Sequence, residues 1–215
     1  MNADLTLKTY DEKIDIFMEY AFKKLYSKKV KITISAAEYI LLVSENLKCN
    51  GYFYEDDYED LIFGIAIGNT LDEWFPIFVH EFCHFEQFCE NKARWNSLRD
   101  DDLWYWVAGT KELTQQELTD AINDSRDLEH DCELRVLKKI KEFKLPIDTE
   151  RHSQQAAAYI LFYDYMMKYR KWYKIGNEPY RNEKLMKLMP KKLPTVKSRK
   201  LKLTPAMERL CKECI

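Results

Sequence analysis

The sequence predicts an α+β protein, predominantly helical, in which a small sheet precedes a motif-bearing helix and a set of C-terminal helices. Three observations predict it. Only 5 Gly and 6 Pro occur in 215 residues, too few for a loop-rich β-sandwich. Apolar residues recur at helical spacing over residues 11–28, 114–144 and 149–174. Short β-branched or aromatic runs, at 29–33, 52–54 and 61–67, all lie in the N-terminal part of the chain. A hydrophobic content of 46% is enough to pack one domain, read here as residues 1–180, with a basic C-terminal extension over 181–215.

The elements follow in order. Ile14, Phe17, Met18, Ala21 and Leu25 form one stripe of a helix over 11–28. Lys29 to Thr33 reads as a strand. Ser35, with Glu38 three residues on, is placed to cap a helix over 36–46. Asn50 and Gly51 are a turn signal. Tyr52–Tyr54 and Leu61–Ile67 read as two strands joined by the acidic loop 55–60. Thr70 with Glu73, or Asp72, opens a helix that tolerates Pro76 near its start and runs to about Asn91. Thr114 opens the long helix that ends at Lys144, before Pro146. The next runs from Thr149 to Lys174 and stops near Gly176. A short helix follows Pro179, and a last one begins near Thr204 and Pro205.

The 34 basic and 36 acidic residues nearly balance at −2, so no global electrostatic partner is implied. No apolar run reaches bilayer length, and no membrane partner is expected. Residues 1–5 lack the basic and apolar regions of a secretory signal. The six Cys, at 49, 83, 89, 132, 211 and 214, show no framework spacing, so reduced thiols in a cytoplasm are the expectation.

His80, Glu81, Phe82, Cys83 and His84 read H-E-x-x-H. On a helix, residues i and i+4 lie on the same face, so both imidazoles can reach one tetrahedral metal ion. The Glu beside the first His can then act as general base toward water acidified by the metal. Trp74, Phe75, Ile77, Phe78, Val79, Phe82, Phe85 and Phe88 make this helix apolar nearly all round, hence buried. Buried His and Glu need partners, and Zn2+ supplies one for both imidazoles. His80 and His84 are therefore read as metal ligands and Glu81 as the catalytic base.

A catalytic zinc takes three protein ligands and keeps one position open. The third is sought in Leu128–Leu134, midway along the long helix. Glu129 and Glu133 share a face there. One can bind the metal while the other, one turn on, holds a ligand histidine through its distal N–H and fixes its tautomer. Glu133 and Asp131 compete with Glu129 for the ligand role. His130 points about 100° around the helix from Glu129, so the two do not readily serve one ion.

The strand, the H-E-x-x-H helix and the later Glu129-x-x-x-Glu133 pattern resemble the zincin fold in its glutamate-ligand, or gluzincin, branch, over roughly residues 60–145. There the later motif reads E-x-x-A-D or E-x-x-A-N. Here Cys132 stands at the small-residue position and Glu133 stands where the family has Asp or Asn. The pair of motifs is also similar to small metallopeptidase-like proteins of bacteriophages. The resemblance implies a zincin-like fold, Glu129 as third ligand, Glu133 and Asp131 as supporting carboxylates, and zinc-dependent hydrolysis of a peptide or protein. Glu81 would take a proton from the attacking water and pass it to the leaving amine. In zincins the strand before the metal helix is a sheet edge that pairs with extended substrate. That role would fall to Gly64, Ile65 and Ala66. A donor for the oxyanion would come from His152, Tyr159 or Tyr163 on the helix after the third ligand.

Other features carry less. Cys211-x-x-Cys214 lacks a second pair and reads as free thiols. Trp104, Tyr105 and Trp106 read as packing. Residues 181–202 hold nine Lys or Arg against Glu183 alone, which reads as a solvated, extended tail; nucleic acid is a weaker reading. Two alternatives to the peptidase stand: a zincin-fold protein using metal for structure or partner binding, and a nucleic-acid-associated protein acting through 181–202. A structural metal site has no need of a base, so Glu81 favours the enzyme.

Overall fold

The computed structural model describes residues 9–42, 47–98, 100–195 and 201–215. The Asp11 carboxylate accepts from the Lys13 and Ile14 N–H groups and so starts α1 (Glu12–Ser27). All five residues of the expected stripe are buried. β1 (Lys31–Ser35) pairs parallel with β5 (Leu61–Ala66), and β4 (Gly51–Glu55) pairs antiparallel with β5, in the order β1-β5-β4. β2 (Ile40–Leu42) and β3 (Leu47–Cys49) form a separate antiparallel pair. α2 (Leu71–Glu90) packs on β4 and β5, where Phe53 meets Phe85 and Phe88, and Phe63 meets Phe78, edge to face. Phe17 of α1 is fully buried and meets Phe75, Phe78 and Phe82 of α2 and Phe143 at the end of α5 (Gln115–Phe143), all edge-on.

Residues 1–90 and 136–147 make one compact unit, and 91–135 with 148–215 make a second. In the first, Glu86 accepts from Lys24 and Lys139, each at 3.1 Å, and so ties α1, α2 and the last turns of α5. Burial opposes the Lys139 charge, but the Glu86 carboxylate outweighs it and holds the ammonium pKa above its ordinary value.

Two expectations for this unit are corrected. No helix covers 36–42: bends lead into β2, and residues 43–46 lie outside the described residues. Carbonyls that a helix would use are taken from elsewhere. Ala37 O accepts from the Gly68 N–H, and Glu38 O accepts from the Asn50 and Asn69 side chains. The second correction concerns Gly64, Ile65 and Ala66. β5 is the central strand, with Ile65 paired to Ile34 on one side and Gly51 on the other, so it offers no edge to a substrate. Gly64 makes room for its cross-strand partner Tyr52, since a Cβ there would lie 2.2 Å from Tyr52 Cζ. Gly64→Ala is expected to destabilise the protein by about 1–3 kcal/mol through overpacking. Urea unfolding should show a lower midpoint, and much of the loss should disappear in a Tyr52→Ala background, where the ring is gone.

In the second unit α3 (Lys92–Trp95) and α4 (Asp100–Ala108) occupy the stretch read as mixed. Thr114 opens α5 by donating its N–H and hydroxyl to Glu117, and Asp148 caps α6 (Thr149–Tyr169). Leu103 and Trp106 of α4, Leu118 and Ile122 of α5, and Tyr163 and Met166 of α6 form its core. Trp104 packs on Trp172. α6 ends five residues short of the expected Lys174, because Arg170 turns left-handed at φ 53° and donates its N–H back to Met166.

The segment 181–202 is not the extended, solvated tail expected, over its described residues. A 3-10 turn (Pro179–Arg181) and α7 (Glu183–Met186) pack on α6, and α8 (Pro205–Lys212) packs on both helices. Leu185, Met186, Met189 and Leu193 are buried. His130 and Arg126 of α5 donate to the Pro194 and Leu201 carbonyls at 2.7 and 3.0 Å. The apolar residues between the lysines, at 185, 186, 189 and 193, dock the chain despite its charge. Residues 196–200 lie outside the described residues. Among the described residues no helix is long and apolar enough to cross a membrane.

Candidate metal centre

α2 carries the H-E-x-x-H residues on a helix whose apolar side chains face the sheet and α1. The His80 and His84 rings stand nearly perpendicular, 87° apart, with centroids at 4.6 Å. Their Nε2 atoms converge to 3.0 Å. Two nitrogens bound to one tetrahedral zinc, each at about 2.0–2.1 Å, lie about 3.3 Å apart, so the pair is close to chelating geometry. His84 Nδ1 lies 2.8 Å from Gln87 Oε1. Glu81 is buried on the same helix. Gly51 of β4 leaves space beside it, since a Cβ there would come within 3.0 Å of Glu81 Cγ and 2.8 Å of Ile77 Cγ2. Cys83, at 0% exposure, is core.

The two imidazoles could hold a metal ion, and imidazole donors suit zinc better than Mg2+ or Ca2+, which prefer oxygen.

The carboxylates of this part of α5 have partners on α5 and α6. Glu129 Oε1 accepts from the Tyr163 and Tyr159 hydroxyls at 3.4 and 3.5 Å. Burial, and then the Glu129 charge, hold the Tyr159 hydroxyl well above its ordinary pKa, so it stays a donor. Glu133 Oε2 lies 2.7 Å from His152 Nε2, with both side chains buried. Asp131 is half-exposed and accepts from Arg135 Nε at 2.8 Å. The structure thus gathers Glu129, Tyr159 and Tyr163 into one polar cluster of α5 and α6, and joins Glu133 to His152. The sequence picks out all five, with Glu129 as third ligand, Glu133 as a supporting carboxylate and His152, Tyr159 or Tyr163 as an oxyanion donor.

None of the six cysteines is in a disulfide. Cys211 and Cys214 are buried, and burial, with Cys214 beside it, pushes the Cys211 thiol up to about 12, which keeps it protonated and a poor metal ligand. Comparison of the chain with protein-family profiles, with curated proteins and with solved structures finds no match.

Proposed function

We propose that this protein is a zinc-dependent peptidase of zincin type, in which His80 and His84 hold the metal and Glu81 moves the proton. The observation that carries the reading is the convergence of the His80 and His84 Nε2 atoms at 3.0 Å on a helix that also bears the buried Glu81. When bound, zinc supplies Lewis acidity, which polarises a carbonyl and brings the pKa of water toward ~7. Glu81 then accepts the proton from the attacking water and returns it to the leaving amine. Glu129 and Glu133 act as buried supports of α5, held by Tyr159, Tyr163 and His152.

A second reading is favoured by one observation: His84 is buried on a helix packed against the sheet, as the ligands of a closed, structural metal site commonly are. In that reading the metal stabilises the protein and Glu81 has no substrate. Digestion of a broad peptide library separates the two. The peptidase reading expects cleavage by zinc-loaded protein that stops on adding a chelator and resumes on restoring zinc. Zinc-loaded protein that cleaves nothing hands the site to the structural reading.

A further inference from the structure

We propose that Gln87 is a positioning residue that commits His84 to bind metal through Nε2. The inference rests on the zinc reading above. His84 and Gln87 lie three residues apart on one face of α2, and both are buried, at 7% and 8% exposure. A neutral imidazole that binds a metal through Nε2 carries its proton on Nδ1, and that buried proton needs an acceptor. The Gln87 Oε1 atom stands 2.8 Å from Nδ1. An amide oxygen accepts and cannot donate, so this contact selects the Nδ1–H tautomer. The Nε2 lone pair is then left facing His80 Nε2, 3.0 Å away. Because Gln87 sits on the same helix as His84, the ring is oriented before any metal arrives, as a preorganised site requires.

The identity of the partner also matters. Metal-bound histidines commonly donate to a carboxylate, which makes the ring more basic. Gln87 holds the ring in place without adding negative charge beside the paired imidazoles.

Two measurements test the assignment. The first is a competition titration of Zn2+ against a chromophoric chelator with wild type, Gln87→Leu and Gln87→Glu. The second is a long-range 1H–15N spectrum of the metal-free protein, which reads the His84 tautomer directly. Gln87→Leu keeps the volume and removes the acceptor, and zinc binding should weaken about 10–100-fold. Gln87→Glu restores an acceptor and should bind at least as tightly as wild type. The wild-type spectrum should show His84 protonated at Nδ1. Wild-type zinc affinity in Gln87→Leu, affinity in Gln87→Glu as weak as in Gln87→Leu, or a wild-type His84 protonated at Nε2 would each overturn the proposal. Wild type that takes up no zinc at all would instead remove the zinc reading, while the tautomer spectrum would still decide the Gln87 contact.

Discussion

Purified His80→Ala protein is expected to retain no zinc where wild type retains about one ion per chain. His80 Nε2 is one half of the imidazole pair that converges at 3.0 Å, and alanine removes one of the two imidazoles that would chelate the ion. One imidazole holds zinc far more weakly than two. The loss has a thermodynamic reflection, because a ligand that binds only the folded chain stabilises it. At free zinc 100-fold above Kd the gain is about 2.7 kcal/mol. For a chain of this size that is about 5–10 °C in Tm. A chelator should therefore lower the wild-type Tm by that amount and leave His80→Ala unmoved. Metal content by mass spectrometry and thermal scans with and without chelator check both statements. Equal zinc in the two proteins would remove His80 from the site.

Glu81→Gln is expected to keep its zinc and to lose about 10²–10⁴-fold in kcat/KM toward peptides, or about 3–5 kcal/mol of transition-state stabilisation. The substitution is close to isosteric. It preserves the fit of the side chain against Gly51, whose missing Cβ gives Glu81 Cγ its space. It also keeps a polar, buried group on α2. What it removes is the capacity to take up a proton and give it back. Metal content measured beside kcat/KM gives the result its meaning. Unchanged zinc with lost activity identifies Glu81 as the base. Unchanged activity would move proton transfer to another group, and lost zinc would make Glu81 part of the metal support.

Much of the helical framework was legible in the sequence because its signals are local. The stripe from Ile14 to Leu25 is buried as its period demands, and Thr114 with Glu117 marks the start of α5. The strands at 51–55 and 61–66 were legible from their flanking turn and acidic loop. What failed depends on distant parts of the chain. Ser35 and Glu38 look like a helix start, but Gly68, Asn50 and Asn69 claim the backbone carbonyls of Ala37 and Glu38. Nothing in Leu61–Ala66 itself says that β1 and β4 flank it on both sides, so its central place was not readable from alternation. The approach of the His80 and His84 rings was legible because one helical turn brings the imidazoles together. Gln87 was within reach of the same logic, three residues past His84, but an amide is a weaker signal than a carboxylate. The contacts of Glu129 with Tyr159 and Tyr163, and of Glu133 with His152, join α5 to α6 over at least 19 residues of sequence, so no local pattern announces them.

The central claim, that zinc sits on His80 and His84, is tested most directly by X-ray absorption at the zinc edge on the purified wild-type protein. Two imidazole neighbours are expected, with Zn–N at about 2.0–2.1 Å. Protein without zinc, or a first shell with no imidazole, would contradict it.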